Sequence, residues 1–476
     1  LNPRHSRIAT RAAGCGILLL TAACATYQSS PLPPVDELTA APAVDRVQLE
    51  IAAAELQHPI LAPLDLDLDD GLSPEEAAVL AVLANPDLRV ARDARGIAAA
   101  QLIAAGLLPN PVLNGALDHP HGAGSEETVS AYLAGLSLDI EPLVVRGARR
   151  EEARARVESV DLGIAWQEWL TAQAAYLDTV RITRGERRLR LIAEEIETEA
   201  ETADVLAAAT VSGDASIQDL GGLLSSLERL RRIRGEMDRE LSRTRIELNH
   251  RLGLSPGTHL VMSSLEPAVT EVWGPLPDET RLMETALESR LDLEALRRGY
   301  DAEEARVRRA VLSQFPGLSI GVAASRDEAN LHFLGGFVTL DLPIFDRAQA
   351  EIALEEATRT RLRHEYEARI AAIRTEIAAA VEADRLLGAQ LVRVQDGLKA
   401  MAEVERAESA GILTGDVDRL TYQVVRSTLV DLKLQFLSLG QARSETRVAL
   451  QTAIGLSAGS AITGNGMHGE GDEDGS

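Results

Sequence analysis

The chain is short of almost everything that a compact, stapled or catalytic domain relies on. Of its 476 residues only 3% are aromatic, and the two cysteines, Cys15 and Cys24, both lie in the first 24 positions. Beyond that point no disulfide can form and no cysteine cluster can hold a metal. Positive charge is scarce: the net charge is −25. That excludes a nucleic-acid binder, whose affinity rests on basic surface. After residue 24 no stretch stays apolar for the roughly 20 residues that a membrane helix needs, so any membrane crossing has to use strands. Proline is absent between Pro142 and Pro256 and again after Pro343, which leaves two long tracts free to be helical. There is no H-E-x-x-H, no G-x-S-x-G, and no histidine spacing that suits a metal. The expectation is no enzyme, no cofactor, no metal and no nucleotide site. Gly464-Asn465-Gly466-Met467-His468-Gly469 fits a dinucleotide fingerprint in letters only, because no strand precedes it. Asp65-Leu66-Asp67-Leu68-Asp69 with Glu76 imitates a calcium loop but has Asp70 where that loop needs glycine. His119 and His121 sit in a Gly-rich loop and read as exposed rather than as ligands.

The ends have their own character. Arg4, Arg7 and Arg11 precede a short apolar run, 12–23, that closes on Thr21-Ala22-Ala23. This reads as a secretory signal peptide over residues 1–23. Cys24 directly after the small residues resembles the lipidation site of a bacterial lipoprotein, so 24–71, rich in proline and alanine, is expected to be a lipid-anchored linker or wrapping segment. Residues 458–476 are rich in glycine and acid and read as a disordered tail.

Between the ends, one pattern occurs twice. Gly253-Leu254-Ser255 returns as Gly455-Leu456-Ser457, 202 positions later, and Gly213-Asp214, Leu138-Asp139 and Thr244-Arg245 return at the same offset. Asp87-Leu88, Arg92 and Pro111 return 205 positions later as Asp292-Leu293, Arg297 and Pro316. A unit of this length is a duplicated half-domain rather than a solenoid repeat. The first copy covers 72–257 and the second 277–457, with 258–276 as connector.

Each copy predicts a helix, a β-hairpin and a long helical hairpin. Ser73-Pro74-Glu75-Glu76 is a capping box with proline at the first helical position, and the helix it opens is expected to run to about Gly106. Leu107-Leu108-Pro109-Asn110-Pro111 stops it. Strands are expected at 111–118 and 129–140, and in the second copy at 315–325 and 333–342; at this length each could cross a bilayer when tilted. Tyr132, Phe315, Phe333 and Phe337 would supply a thin aromatic girdle. The helical hairpins are expected at 148–253 and 346–455. Their apolar positions step by three and four, as in Val157, Val160 and Ile164, further on in Leu189, Ile192 and Ile196 and in Ala203 and Leu206, and in the second copy in Ile370, Ile373, Ile377 and Ala380 and again in Leu387, Leu391, Val394, Leu398 and Met401. That spacing is a coiled-coil seam. Trp166 and Trp169 read as packing residues on the first long helix. Turns at 211–214 and 413–416 fold each hairpin.

Four strands cannot close a spanning barrel, and an open sheet in lipid leaves edge amides and carbonyls unpaired at several kcal/mol each. If the strands enter a membrane, copies must join. Three copies give twelve strands and a lumen.

These features together resemble the outer membrane efflux protein (TolC) family, in its lipoprotein form. The matching stretches are Leu72-Ser73-Pro74-Glu75-Glu76-Ala77, Asn85-Pro86-Asp87-Leu88, Gly106-Leu107-Leu108-Pro109-Asn110-Pro111 and Arg290-Leu291-Asp292-Leu293. The sharpest is Leu340-Asp341-Leu342-Pro343-Ile344-Phe345-Asp346-Arg347. The resemblance implies a mainly α fold with a small membrane β part, in which a homotrimer builds a twelve-stranded outer-membrane barrel on a periplasmic α-helical tunnel. It implies a passive exit duct in the outer membrane of a Gram-negative bacterium, anchored there through Cys24. Its implied partners are outer-membrane lipid, a periplasmic adaptor and an inner-membrane pump of the resistance-nodulation-division type. Gly411-Ile412-Leu413-Thr414 is similar to the family's periplasmic tip, with Thr210-Val211-Ser212-Gly213 as its counterpart; both would meet the adaptor. Asp416 and Asp418 flank the position of an acidic gate, which Val417 occupies here. The rival readings are the duct of a type I protein secretion system, and a periplasmic coiled-coil scaffold lipoprotein that has no pore.

Overall fold

The computed structural model describes residues 26–36, 46–121, 127–263, 276–414 and 419–456, and the side chains of 410–414, 419 and 420 are not among the described ones. Cys24, Asp416, Asp418, the signal segment and the tail from 457 onward therefore lie outside the described residues. The chain divides into two units, 1–43 and 44–476. In the first, residues 26–36 are exposed throughout.

The second unit follows the duplicated order. It begins with α1 (Arg46–Ala54), α2 (Pro74–Ala84), α3 (Pro86–Gly106), β1 (Val112–Asp118) and β2 (Ala131–Asp139). The first long hairpin is α4 (Glu141–Ser212) and α5 (Ile217–Arg251). The second copy gives α6 (Glu279–Ser289), α7 (Leu291–Leu312), β3 (Leu318–Arg326), β4 (His332–Leu340), α8 (Gln349–Thr414) and α9 (Arg419–Ile454). At 1.5 Å per residue the 72 residues of α4 extend about 108 Å. Among the described residues no helix is both long and apolar enough to cross a membrane.

One expectation is corrected here. The helix expected from Ser73 to Gly106 is two helices. Ser73 does cap the first, accepting from the Glu76 amide while the Glu76 carboxylate accepts from the Ser73 amide. Pro86 then ends it, since proline has no N–H to offer the preceding turn. The Asn85 side chain caps the second helix by accepting from the amides of Asp87 and Leu88. Of the two forms expected for the segment before Ser73, residues 46–71 take the wrapping one. They form α1 and then wrap: His58 Nε2 lies 3.0 Å from the Ala165 carbonyl and its Nδ1 accepts from the amides of Ile60 and Leu61. Glu76, the last residue of the calcium-like pattern, spends its oxygens on the amides of Asp67 and Ser73.

The duplication holds at the level of single contacts. The Asn85 amide nitrogen donates to the Arg251 carbonyl at 3.1 Å; Arg290, 205 positions on, donates to the Ala453 carbonyl at 2.7 Å. Each junction closes on a left-handed glycine, Gly253 at φ 65° and Gly455 at φ 74°. A Cβ on Gly253 would stand 2.6 Å from the Ala84 carbonyl oxygen, so only glycine fits there. The cores repeat too. Ala77, Ala81, Ala175, Leu248 and Leu252 pack in the first copy where Leu282, Ala286, Ile377, Leu450 and Ile454 pack in the second. Trp166 and Trp169 are buried beside Val82 and Tyr176, and the Arg290 guanidinium lies 4.7 Å above the Trp166 ring.

The seam residues behave as their spacing predicts. Ile192 packs with Leu230 and Met237 of α5 and with Val430 and Leu434 of α9, and Ile373 and Ile377 are buried in the second hairpin. The two hairpins stand side by side in register. Arg229 of α5 pairs with Asp431 of α9, whose positions differ by the repeat offset, and Arg426 pairs with Glu195 at 3.3 Å. The C-terminal ends of α4 and α8 therefore lie at the same end of the second unit, opposite the sheet. Closer to the middle, Asp384 of α8 receives Arg447 at 2.6 Å and Arg443 at 2.9 Å from α9. Burial alone would raise this carboxyl. The hydrogen bonds from Arg447 and Arg443 outweigh burial and hold it below the ordinary aspartate range.

Candidate functional site

The sheet is antiparallel throughout, in the order β1-β2-β3-β4, with β1 and β4 at its edges. Paired residues share a face and alternate residues change face, so the register sorts every side chain. One face carries Leu113 and Leu117, then Tyr132, Leu136 and Leu138, then Ile320 and Val322, then Leu334, Val338 and Leu340. The other carries Asn114, Asp118, Ser137, Asp139, Ser319, Ser325 and Thr339, with glycine and alanine between them. Val112 and Leu133 are its aliphatic exceptions. Neither face is covered by the chain: every residue of β1 and β4 is exposed, Leu334 to 85%. A water-soluble sheet buries its apolar face; this one presents it.

Two of the four girdle residues lie elsewhere than the sequence suggested. Phe333 and Phe337 are on the small, polar face. The Phe337 ring lies over Gly321, where a Cβ would collide with it. Tyr132 is on the apolar face, with Arg326 stacked 5.4 Å from its ring and His332 beside it, all at the sheet's far end. At the helix end, Leu107, Leu108, Phe315, Leu342, Ile344 and Phe345 are all exposed. Periodicity alone could not separate these sets, because the face follows from pairing register.

The β3–β4 turn is built locally. Asp327 Oδ1 accepts from the Leu331 amide at 2.8 Å, and Asn330 takes φ 65°, a conformation asparagine tolerates well. In the first hairpin His119 lies 2.8 Å from the Ser130 hydroxyl, and both His119 and His121 are exposed. Among the described residues no group of three His, Cys, Asp or Glu is placed to hold a metal ion.

At the opposite end of the molecule, Thr210, Val211 and Ser212 form the last turn of α4, and Gly213 closes it at φ 83°. The Asp214 amide donates to the Ala209 carbonyl at 2.8 Å and Ser216 caps α5. The apolar seam reaches this turn through Ala203, Leu206 and Leu223, while Val211 is 90% exposed and Ile217 is also bare. Gly411, Ile412, Leu413 and Thr414 end α8 in the equivalent position. The structure thus brings the two predicted tips to one end and keeps them far from the strands.

No protein-family profile matches this sequence, and no curated protein sequence matches it. The fold matches solved structures. One is CusC, whose structures concern folding and transmembrane channel formation, with a TM-score of 0.68 at 18% identity over 88% of this chain and 99% of that one. Another is the outer-membrane channel OprN, with a TM-score of 0.68 at 16% identity over 91% and 100%. A third is the open state of the Neisseria gonorrhoeae MtrE outer membrane channel, with a TM-score of 0.60 at 16% identity over 91% and 98%. The likeness is one of fold, and it runs nearly the full length of each neighbour.

Proposed function

We propose that this chain, which has the fold of outer-membrane channels, is the outer-membrane exit duct of a tripartite export system. The observation that carries the reading is the division of the sheet into an apolar and a polar face. A tilted nine-residue strand covers about 23 Å, close to the apolar band of about 25 Å on an outer-membrane barrel. Leucine, isoleucine and valine then meet lipid, and serine, asparagine and glycine meet water. Tyr132 with Arg326 and His332 marks one interface, and Leu107, Phe315 and Phe345 mark the other.

Closure follows from the edges. In lipid, β1 and β4 each need a partner along the whole strand. β4 of one copy pairs with β1 of the next, and three copies make a twelve-stranded barrel wide enough for a water-filled lumen. The side-by-side helical hairpins continue that lumen as a tunnel on the periplasmic side. No bond is made or broken; the duct confines substrate, and an inner-membrane pump supplies the energy. A periplasmic adaptor meets the tips at Thr210–Gly213 and 411–414, Asp416 and Asp418 stand at the mouth as an acidic gate, and an acylated Cys24 holds the chain in the outer membrane. A scaffold lipoprotein without a pore would have no use for an uncovered apolar sheet face.

Cysteines at Asn114 on β1 and Gly335 on β4, at the same level on the polar face, test the closure. Oxidation of the double variant in detergent is expected to give a ladder of one, two and three linked chains that stops at three. A product limited to single chains, or a ladder running past three, would refute it.

A further inference from the structure

Just below the sheet lies a cavity of about 440 Å³ between α3, α4 and α7. Its floor is the small side chains Ala104, Ala105 and Ala153, which leave the space open. Four guanidinium groups face it: Arg149 and Arg156, two turns apart on α4, and Arg306 and Arg309, one turn apart on α7. One carboxylate lines it. Glu152 is held by Arg306 at 3.1 Å and by Arg309 at 2.7 Å. Arg306 also reaches Glu303 at 3.2 Å. Burial, together with the neighbouring carboxylates Glu355 and Glu152, pushes Glu303 up to about 7 despite Arg306, so that side chain brings less than a full negative charge. Arg149 and Arg156 have no carboxylate partner among the described residues. Four arginines thus share the cavity with one carboxylate on its wall, and the exposed Arg149 and Arg156 remain to meet an anion.

We propose that this cavity is a phosphate-binding site, and that its occupant is the phosphate of an anionic phospholipid. Arginine forks match phosphate oxygens with two parallel charge-assisted hydrogen bonds, and the two helices offer such forks from opposite walls. The depth fits a headgroup. Arg146 binds the Gly106 carbonyl at 2.7 Å, level with the exposed Leu107 and Leu108. Arg149 to Arg156 follow three to ten residues further down α4, about 5 to 15 Å below that belt. The polar layer of a bilayer is about 5 to 8 Å thick on each side, so Arg149 lies within it and Arg156 below it, from where an arginine stem can extend upward towards the headgroup. The lipid assignment rests on the duct reading; the phosphate site itself does not. The same chemistry would also accept free phosphate, and the experiment separates the two.

The assembled protein is stripped of lipid in neutral detergent. It is then offered phosphatidylglycerol or phosphatidylcholine with identical acyl chains, and retained lipid is counted by native mass spectrometry. Inorganic phosphate is titrated separately by ³¹P NMR at low salt. Phosphatidylglycerol is expected to be retained about tenfold over phosphatidylcholine, and the Arg149→Gln, Arg156→Gln double variant to lose at least that factor, as removal of charge-assisted bonds implies. The Arg149→Lys, Arg156→Lys variant keeps the charge and should keep part of the preference, which separates loss of the site from loss of the fold. Phosphate binding that falls in the Gln variant, without any lipid preference, would support the site with a free anion as its occupant. Equal retention of both lipids with no phosphate binding, or a Gln variant that binds like the parent, would overturn it. A protein that conducts no current but keeps the phosphate site would refute the duct reading and leave this one standing.

Discussion

Arginine placed at mid-strand on either side of the sheet separates the lipid face from the lumen face. Val322 is at the centre of β3 on the apolar face, and Ala323 is its neighbour on the polar face. Ala323 is flanked in register by Gly135 and Gly335, so a long side chain has room. A guanidinium on the lipid side at the bilayer midplane costs about 2–4 kcal/mol per chain, and one turned into a water-filled lumen stays solvated and should cost no more than an ordinary surface substitution, about 0.5 kcal/mol. In the proposed three-chain barrel the lipid-side cost becomes about 6–12 kcal/mol for the assembly. Per chain, Val322→Arg should lower the folding equilibrium constant by a factor of about 30 to 1,000, while Ala323→Arg should change it by less than about 5-fold. The assay is urea-dependent folding into phospholipid vesicles, read by protection of the strands from protease. Equal costs for the two variants, or a larger cost for Ala323→Arg, would show that the faces have been assigned wrongly.

Other consequences follow from single contacts. Asp384→Ala leaves Arg447 and Arg443 without their shared carboxylate in a buried setting, and should destabilise the second hairpin by about 3–5 kcal/mol in chemical denaturation. Because the folded carboxyl sits below its unfolded value, its stabilising effect is complete above about pH 4 and lost as pH falls through the folded value; the acid limb of the stability profile should flatten in Asp384→Asn. His58 has the opposite charge type. Burial lowers it, and both ring nitrogens are committed to the neutral form, although Glu168 at 3.8 Å favours the proton while Arg92 and Arg95 oppose it. Its contribution is therefore full above about pH 6.5 and declines as pH falls from there towards the folded value. Amide exchange at Ile60 and Leu61, corrected for the intrinsic rate, should speed up between about pH 7 and 5, and unchanged protection would refute the fastening role. Gly253→Ala should cost more than the 1–2 kcal/mol of a left-handed alanine, because its Cβ also meets the Ala84 carbonyl; Gly235→Ala, in open space on α5, should be neutral or stabilising. Equal melting temperatures for the two glycine variants would contradict the junction geometry.

Much of this architecture could be read from the sequence, because the chain states it twice. The duplicated Gly-Leu-Ser marked where each repeat ends, and the proline-free tracts predicted the two long hairpins. Spacing of three and four placed Ile192 and Ile373 in the seams where they are found. What could not be read depended on partners far apart in sequence. Pro86 ended a helix whose apolar pattern runs on through it, because Asn85 supplied a cap on one side and a contact to Arg251 on the other. Phe333 and Phe337 looked like girdle residues until the β3–β4 register turned them to the small-residue face and set Phe337 over Gly321. The arginine cavity joins α4 to α7, about 150 residues away in sequence, and no local pattern marks it. Only helix packing brings Arg149 and Arg156 opposite Arg306 and Arg309.

The most direct test is electrical. Purified protein added to a planar phospholipid bilayer should give discrete single-channel steps, each from one three-chain assembly, because the polar faces of twelve strands enclose water. A protein that inserts as a trimer yet passes no current, or that stays monomeric and leaves the bilayer silent, would contradict the claim that these strands line a pore.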